Sequence, residues 1–403
     1  MFERDFLSVD NSFDAAEMRE ARGRLAELKK NADRLTDAQF ELAVAEIAAL
    51  SHNGHSGVYL GRWPLAFSRL AVRFLLTDEG LYVADAAPAY EALVGSRVVR
   101  IEGHDVDALR SAWARYYART RSGRDEAMHL FLESPELLHA AGLAASPDSV
   151  RLELAGGRTI DVGTSSAWPA PEGIWRFLPD ARLLELAAAG RVDGNPLSLR
   201  EPDELFRLVE LPARDAVYVQ FRANHYFDGG GDMRSEAAEA IARLRALSPR
   251  FVIVDQRFNL GGDLNNTRDL MQAIPDIVGP EGRVVAITSG RTFSAGIASL
   301  GYLKQAGGDR VTIVGAPVGD ELEFWAEGSP VILPNSGIAV GVATERHNYM
   351  TGCPEPDCHG PIQRHPIRVQ SLQPDVRPKL RYADVVGGTD AYLDAALALI
   401  DEK

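Results

Sequence analysis

Phe251-Val252-Ile253-Val254, followed by Asp255-Gln256-Arg257-Phe258-Asn259-Leu260-Gly261-Gly262-Asp263, opens the stretch that decides the fold. The apolar run predicts a buried strand, and the polar, glycine-bearing run a turn. Leu264 to Ile274 has helical spacing. A second apolar run, Val284-Val285-Ala286-Ile287, leads into Thr288-Ser289-Gly290-Arg291-Thr292-Phe293-Ser294-Ala295-Gly296, which opens another helix. Strand, turn and helix repeated twice predict a parallel sheet with both turns at one end, where open α/β folds keep their sites. Gly261/Gly262 and Ser294/Ala295 are therefore expected to face each other across one crevice.

The same pattern extends outward over a core of residues 213–403. Ala216 to Phe221 reads as a strand and Arg234 to Leu247 as a helix. Beyond Ser294 come a helix, the strand Val311 to Val314, a hairpin on Pro334-Asn335-Ser336-Gly337 and an amphipathic helix, Ala391 to Ile400. Gly229-Gly230-Gly231 reads as a flexible connection and not a phosphate loop, since no Lys-Ser/Thr follows. Residues 1–61 form a helical module in which Phe13, Met18, Ala21, Leu25 and Leu28, then Phe40, Val44, Ile47 and Leu50, recur at helical spacing behind an N-cap at Thr36. Residues 62–165 change to short strands: Leu65 to Leu76, Gly80 to Ala84, Ser96 to Ile101 and Val150 to Leu154, with a turn at Glu102-Gly103-His104 and a helix from Asp107 to Tyr117. Residues 166–212 join this unit to the core through Trp168-Pro169-Ala170-Pro171 and a helical segment near Leu183 to Ala189.

At 403 residues the chain is expected to hold two or three domains. A net charge of −14 argues against a nucleic-acid partner, which would need an excess of Lys and Arg. No apolar run of about 18 residues suggests membrane insertion. Met1 to Phe6 lacks the apolar stretch of a signal peptide, so the chain is expected to be cytoplasmic unless a leader was removed upstream, in which case a periplasmic or secreted placement is favoured. Cys353 and Cys358 are the only two cysteines. They sit in a proline-rich loop as either a local disulfide or two separate thiols. His347 and His365 lie near, but the spacing matches no standard zinc pattern, and neither a metal nor any other cofactor is assigned.

Two readings meet at Ser294. As an N-cap its hydroxyl would satisfy a free backbone N–H. As a nucleophile it would use the N–H of Ala295, at the positive end of a helix, and one from Gly261 or Gly262 as oxyanion donors. A serine needs a base. Lys304 is on the same predicted helix about 15 Å along its axis, too far to reach back. His55, between Gly54 and Gly57, is the favoured candidate, with His52 and His225 as competitors.

These residues resemble the tail-specific, C-terminal-processing serine peptidase family, in its histidine-using, tricorn-like branch. Asn53-Gly54-His55-Ser56 resembles that family's Asp-Gly-His-Thr, and Asp255 to Gly262 its Asp-Leu-Arg-x-Asn-x-Gly-Gly. Thr292 to Gly296 is similar to its nucleophile segment. Val314-Gly315-Ala316-Pro317, Leu333 to Gly337 and Gln373-Pro374-Asp375-Val376 are similar to the segments that follow. The resemblance implies a crotonase-like ββα spiral core, a PDZ-like β-rich insert, Ser294 as nucleophile, His55 as base, and backbone donors from Gly261, Gly262 and Ala295. It implies a polypeptide substrate bound as an unfolded chain or C-terminal tail, and allows a homo-oligomer. The lysine base of the other branch is missing from Val318-Gly319-Asp320-Glu321. No carboxylate stands just before the terminal Pro-Asp, so Glu345 is expected to orient His55, with Asp357 and Gln370 as alternatives. The rival reading is a non-catalytic peptide- or apolar-ligand-binding protein on the same scaffold.

Overall fold

The structure, a computed structural model, describes residues 1–166, 181–226 and 229–401. The Trp168 to Pro171 linker read from the sequence lies outside the described residues.

The fold is mixed α/β, built on two five-stranded sheets of different kinds. The first is an antiparallel meander: β1 (Val72–Thr77), β2 (Gly80–Ala86), β3 (Arg97–Ile101), β4 (Ser149–Leu154) and β5 (Thr159–Gly163). Its two ends approach, with Ala71 N–H donating to Gly163 O and Ser165 N–H to Arg69 O, both at 2.9 Å. The single strand expected over Leu65 to Leu76 begins only at Val72. Trp63–Ala66 is instead a helical turn with Pro64 in its first positions, where proline's missing N–H costs nothing. Helices Arg121–Leu132 and Pro135–Ala140, capped by Thr120 and Ser134, fill the space between β3 and β4. Just beyond the first of these, the wholly buried Glu133 carboxylate receives Arg69 at 2.5 Å and Arg182 at 2.7 Å, with Arg73 at 3.4 Å. One apolar cluster runs from the N-terminal helices Ala15–Asn31 and Asp37–Ala49 through this sheet to Ile338 and Val340.

The second sheet positions the candidate site. It comprises β6 (Phe206–Leu211), β7 (Ala216–Phe221), β8 (Phe251–Asp255), β9 (Arg283–Thr288) and β10 (Val311–Gly315), in the order β10-β9-β8-β7-β6. β7 to β10 are parallel, and β6 adds an antiparallel edge. Because each parallel strand steps to the same side of its predecessor, right-handed crossovers put their helices on one face. Those helices, Met233–Leu247, Leu264–Ile277 and Ala295–Gly307, pack there with Val217, Val252, Val284 and Ile313. The C-terminal helix Ala391–Asp401 covers the opposite face through Leu393, Ala396 and Ile400. Burial on both faces is why β8 and β9 read as unbroken apolar runs.

Four further strands follow among the described residues: β11 (Glu323–Glu327), β12 (Val331–Ile332), β13 (Ala339–Val340) and β14 (Ala343–Asn348). β12 and β13 form the hairpin expected around Pro334 to Gly337. β11 pairs with β14, setting Phe324 opposite His347, and the ladder shifts between Ala326 and Glu327. Cys353 and Cys358 form a disulfide. No helix among the described residues is long and apolar enough to cross a membrane.

Candidate active site

β9 ends at Thr288 and the next helix begins at Ala295, leaving Ser294 at the corner between them. Ser294 has φ 52° and ψ −125°, a backbone region that side-chain-bearing residues rarely occupy. Its hydroxyl makes no capping hydrogen bond. The N-cap role therefore does not account for the residue, and a strained, half-buried serine stands at the mouth of a parallel sheet.

The two turns are clamped face to face by asparagines. Asn259 O accepts the Phe293 N–H at 3.0 Å. The Asn259 side chain accepts from Gly261 N–H at 3.0 Å and donates to Asn224 Oδ1 at 2.8 Å. Asn224 Nδ2 in turn donates to Ala295 O at 2.9 Å and Ser299 Oγ at 2.8 Å. A Cβ on Gly261 would lie 2.7 Å from Ser294 Cβ and 3.0 Å from Ala295 N, so only glycine permits this approach. The sequence expected Gly261 as an oxyanion donor, but its N–H is committed to Asn259. Among the described residues the N–H groups of Gly262 and Ala295 have no hydrogen-bond partner.

His55 arrives from the N-terminal module and is held by its neighbours in sequence. Asn53 Nδ2 donates to Trp325 O, and Trp325 N–H donates to Asn53 Oδ1, both at 3.0 Å, stitching the loop to β11. Ser56 Oγ donates to Asp10 Oδ2 at 2.7 Å. The His55 ring stacks on Phe293, the residue before Ser294, at 4.3 Å, and on Phe324 at 4.9 Å. Its Nδ1 lies 3.4 Å from the buried Asp320 Oδ2. Neither ring nitrogen makes a hydrogen bond, and neither does Asp320 Oδ2. A Cβ at Gly54 would fall 2.6 Å from that same carboxylate oxygen, which explains the glycine before the histidine.

The expectation for Glu345 is corrected by this geometry. Its carboxylate accepts from, or shares a proton with, His359 Nδ1 at 2.6 Å, and His359 rather than His55 is its imidazole partner. Asp320 is the acid beside the imidazole. It is set there by a loop in which Gly319 N–H donates to Thr292 O at 2.9 Å and Thr120 Oγ1 to Val318 O at 2.9 Å. The alternatives to His55 separate clearly. The His52 side chain is 80% exposed and lies 3.9 Å from Glu17. His225 is exposed, with its backbone packed against Gly262. Lys304 donates to Val311 O at 2.8 Å, well along its helix. A cavity of about 710 Å³ between β1 and the core, lined by Arg257, Phe258, Asp390 and Tyr392, does not include Ser294 or His55.

No family model and no curated protein matches the chain. Solved structures do. Mature CPAF complexed with lactacystin overlays with a TM-score of 0.57 at 15% identity, over 98% of this chain and 96% of the other. Mature CPAF gives 0.57 at 15%, over 98% and 95%, and a CPAF mutant 0.54 at 13%, over 100% and 94%. This chain has the CPAF fold. The CPAF likeness covers 98% of this chain, and so takes in both sheets and the helical N-terminus.

Proposed function

We propose that the chain is a serine peptidase of the tail-specific type, acting on unfolded chains or C-terminal tails through an acyl-enzyme. The observation that carries this reading is Ser294 itself, held in a strained conformation, free of any capping bond, and facing the unbonded amides of Gly262 and Ala295. Ser294 Oγ attacks the peptide carbonyl, and the two amides receive the oxyanion. His55 takes the hydroxyl proton and passes it to the leaving amine; water then releases the acyl group by the same route. With Nδ1 toward Asp320, Nε2 is the nitrogen that serves Ser294, and the imidazole reaches it by turning within its stack as substrate enters. Asp320 fixes the tautomer and stabilises the imidazolium.

On this reading the second sheet and its three crossover helices are a crotonase-like core, and the meander is a PDZ-like insert that presents the substrate. Domain limits at residues 1–61, 62–165, 166–212 and 213–403 follow the sequence reading. The chemistry uses side chains and amides alone. The second reading is a binding protein on the same scaffold, favoured by the absence of any hydrogen bond to His55. Turnover separates them: the peptidase digests casein, and Ser294→Ala lowers that rate by several orders of magnitude. A chain with no turnover, or a Ser294→Ala variant with full turnover, supports the binding reading.

A further inference from the structure

On the wall behind His55, rings continue the stack: Phe324 on His347 at 4.8 Å, and His347 on His359 at 5.0 Å. Against the last two lies Glu327, which has φ 70° where the β11–β14 ladder shifts register past Thr344. Such a bulge re-aims a side chain, and here it brings a carboxylate to two imidazoles. Glu327 Oε1 is 3.2 Å from His347 Nε2 and 3.8 Å from His359 Nε2, and the three atoms lie within 4.8 Å of one another. The opposite nitrogen of each ring is also held: His359 Nδ1 by Glu345 at 2.6 Å and His347 Nδ1 by Tyr349 Oη at 3.1 Å.

The arrangement constrains the protons. A short bond to Glu345 keeps a proton on His359 Nδ1, so in its neutral form the ring turns an Nε2 lone pair toward a carboxylate oxygen. An Nε2 lone pair and a carboxylate oxygen turned toward each other are a donor set that a cation placed between them would satisfy. Tetrahedral ligation at about 2.0–2.1 Å sets ligand atoms about 3.3 Å apart. The His347 contact already has that length, and the His359 contact needs roughly half an ångström of closure by this measure. A carboxylate or hydroxyl on the far nitrogen is the usual second partner of a ligating histidine.

We propose that Glu327 Oε1, His347 Nε2 and His359 Nε2 form a binding site for a divalent transition metal of the zinc class, with Glu345 and Tyr349 orienting the histidines. Nitrogen and carboxylate donors favour this class over calcium or magnesium. The three protein ligands leave a fourth position for water. A bound ion would pin β11, β14 and the disulfide loop together, stiffening the wall against which His55 stacks. The sequence hid the site because its carboxylate comes from β11, outside the cysteine- and histidine-bearing stretch. The nearby Cys353, Glu355 and Cys358 group is a separate candidate, closed while the disulfide persists.

The test is zinc and cobalt binding to the untagged, oxidised full chain, by equilibrium dialysis and visible absorption, independent of any peptidase assay. The expected result is one ion per chain, a Co²⁺ spectrum without a thiolate charge-transfer band, and a zinc-dependent rise in melting temperature. His347→Ala and Glu327→Gln should each weaken binding at least about 100-fold, and Glu345→Gln about 10–100-fold. Glu345 is on the rim with a 45% exposed side chain, so Glu345→Gln should fold even if the buried His347 variant does not. No binding at 100 µM zinc (on the order of surface-site affinity), unaltered affinity in Glu345→Gln and Glu327→Gln, or a thiolate band would each overturn the proposal.

Discussion

Replacing Ser294 by glycine should make the protein inactive and more stable at once. A side-chain-bearing residue at φ 52°, ψ −125° stores about 1–3 kcal/mol. Glycine enters this region freely, at a cost of about 0.5–1 kcal/mol for the greater freedom of the unfolded chain. No capping hydrogen bond is lost, because Ser294 makes none. The net gain is about 1 kcal/mol, a rise of roughly 2–4 °C for a unit the size of the core. Ser294→Ala keeps the Cβ and hence the strain, so it should melt with the wild type while losing turnover equally. Scanning calorimetry of the three proteins, paired with casein digestion, reads both effects. If Ser294→Ala or Ser294→Gly melts earlier by the degrees that a lost N-cap costs, the serine is structural and the strain argument fails.

Asp320→Asn should lower kcat roughly 10²–10⁴-fold with little change in KM, because the wrong tautomer of His55 is then favoured. Glu345→Gln, whose partner is His359, should stay within about twofold in metal-free buffer, and steady-state kinetics on a quenched peptide distinguish the two acids. Gly261→Ala should abolish activity, since its Cβ would meet Ser294 Cβ at 2.7 Å and Phe293 O at 2.9 Å; full activity in this variant would contradict the facing of the two turns. Burial would raise the pKa of Glu133, but Arg182, Arg73 and Arg69 bring it down to about 2. Its folded value is thus below the unfolded one, so its contribution is complete above about pH 4.5 and is lost as pH falls toward 2. Glu133→Gln should cost about 3–5 kcal/mol at neutral pH by stranding buried guanidiniums, and should flatten the acid limb of a denaturation series between those pH values.

The parallel sheet was legible because strands covered on both faces are written as unbroken apolar runs, and the turns between them carry glycine where backbones must touch. β6, β11 and β14 were not. Glu323-Phe324-Trp325-Ala326-Glu327 and Ala343 to Asn348 mix charge with apolar groups, and their pairing is set by tertiary contact with the His55 loop. Ser294, Gly262, Ala295 and His55 could be proposed from motif order. Asp320 could not be given its place, because only folding brings the Val318 to Glu321 loop under Gly54. The commitment of the Gly261 amide to Asn259 is likewise a detail of turn geometry, invisible in the residue types. Asn53, Asn224, Phe293 and Phe324 carry no chemistry of their own and gain meaning only as the supports of other groups.

The most direct test of the account is covalent labelling of the folded protein with a fluorophosphonate, located by peptide mass spectrometry. The account predicts a single adduct on Ser294, formed at a rate that His55→Ala depresses by orders of magnitude and that unfolding abolishes. An unlabelled Ser294 in protein that labels elsewhere, or a labelling rate unchanged in His55→Ala, would contradict it.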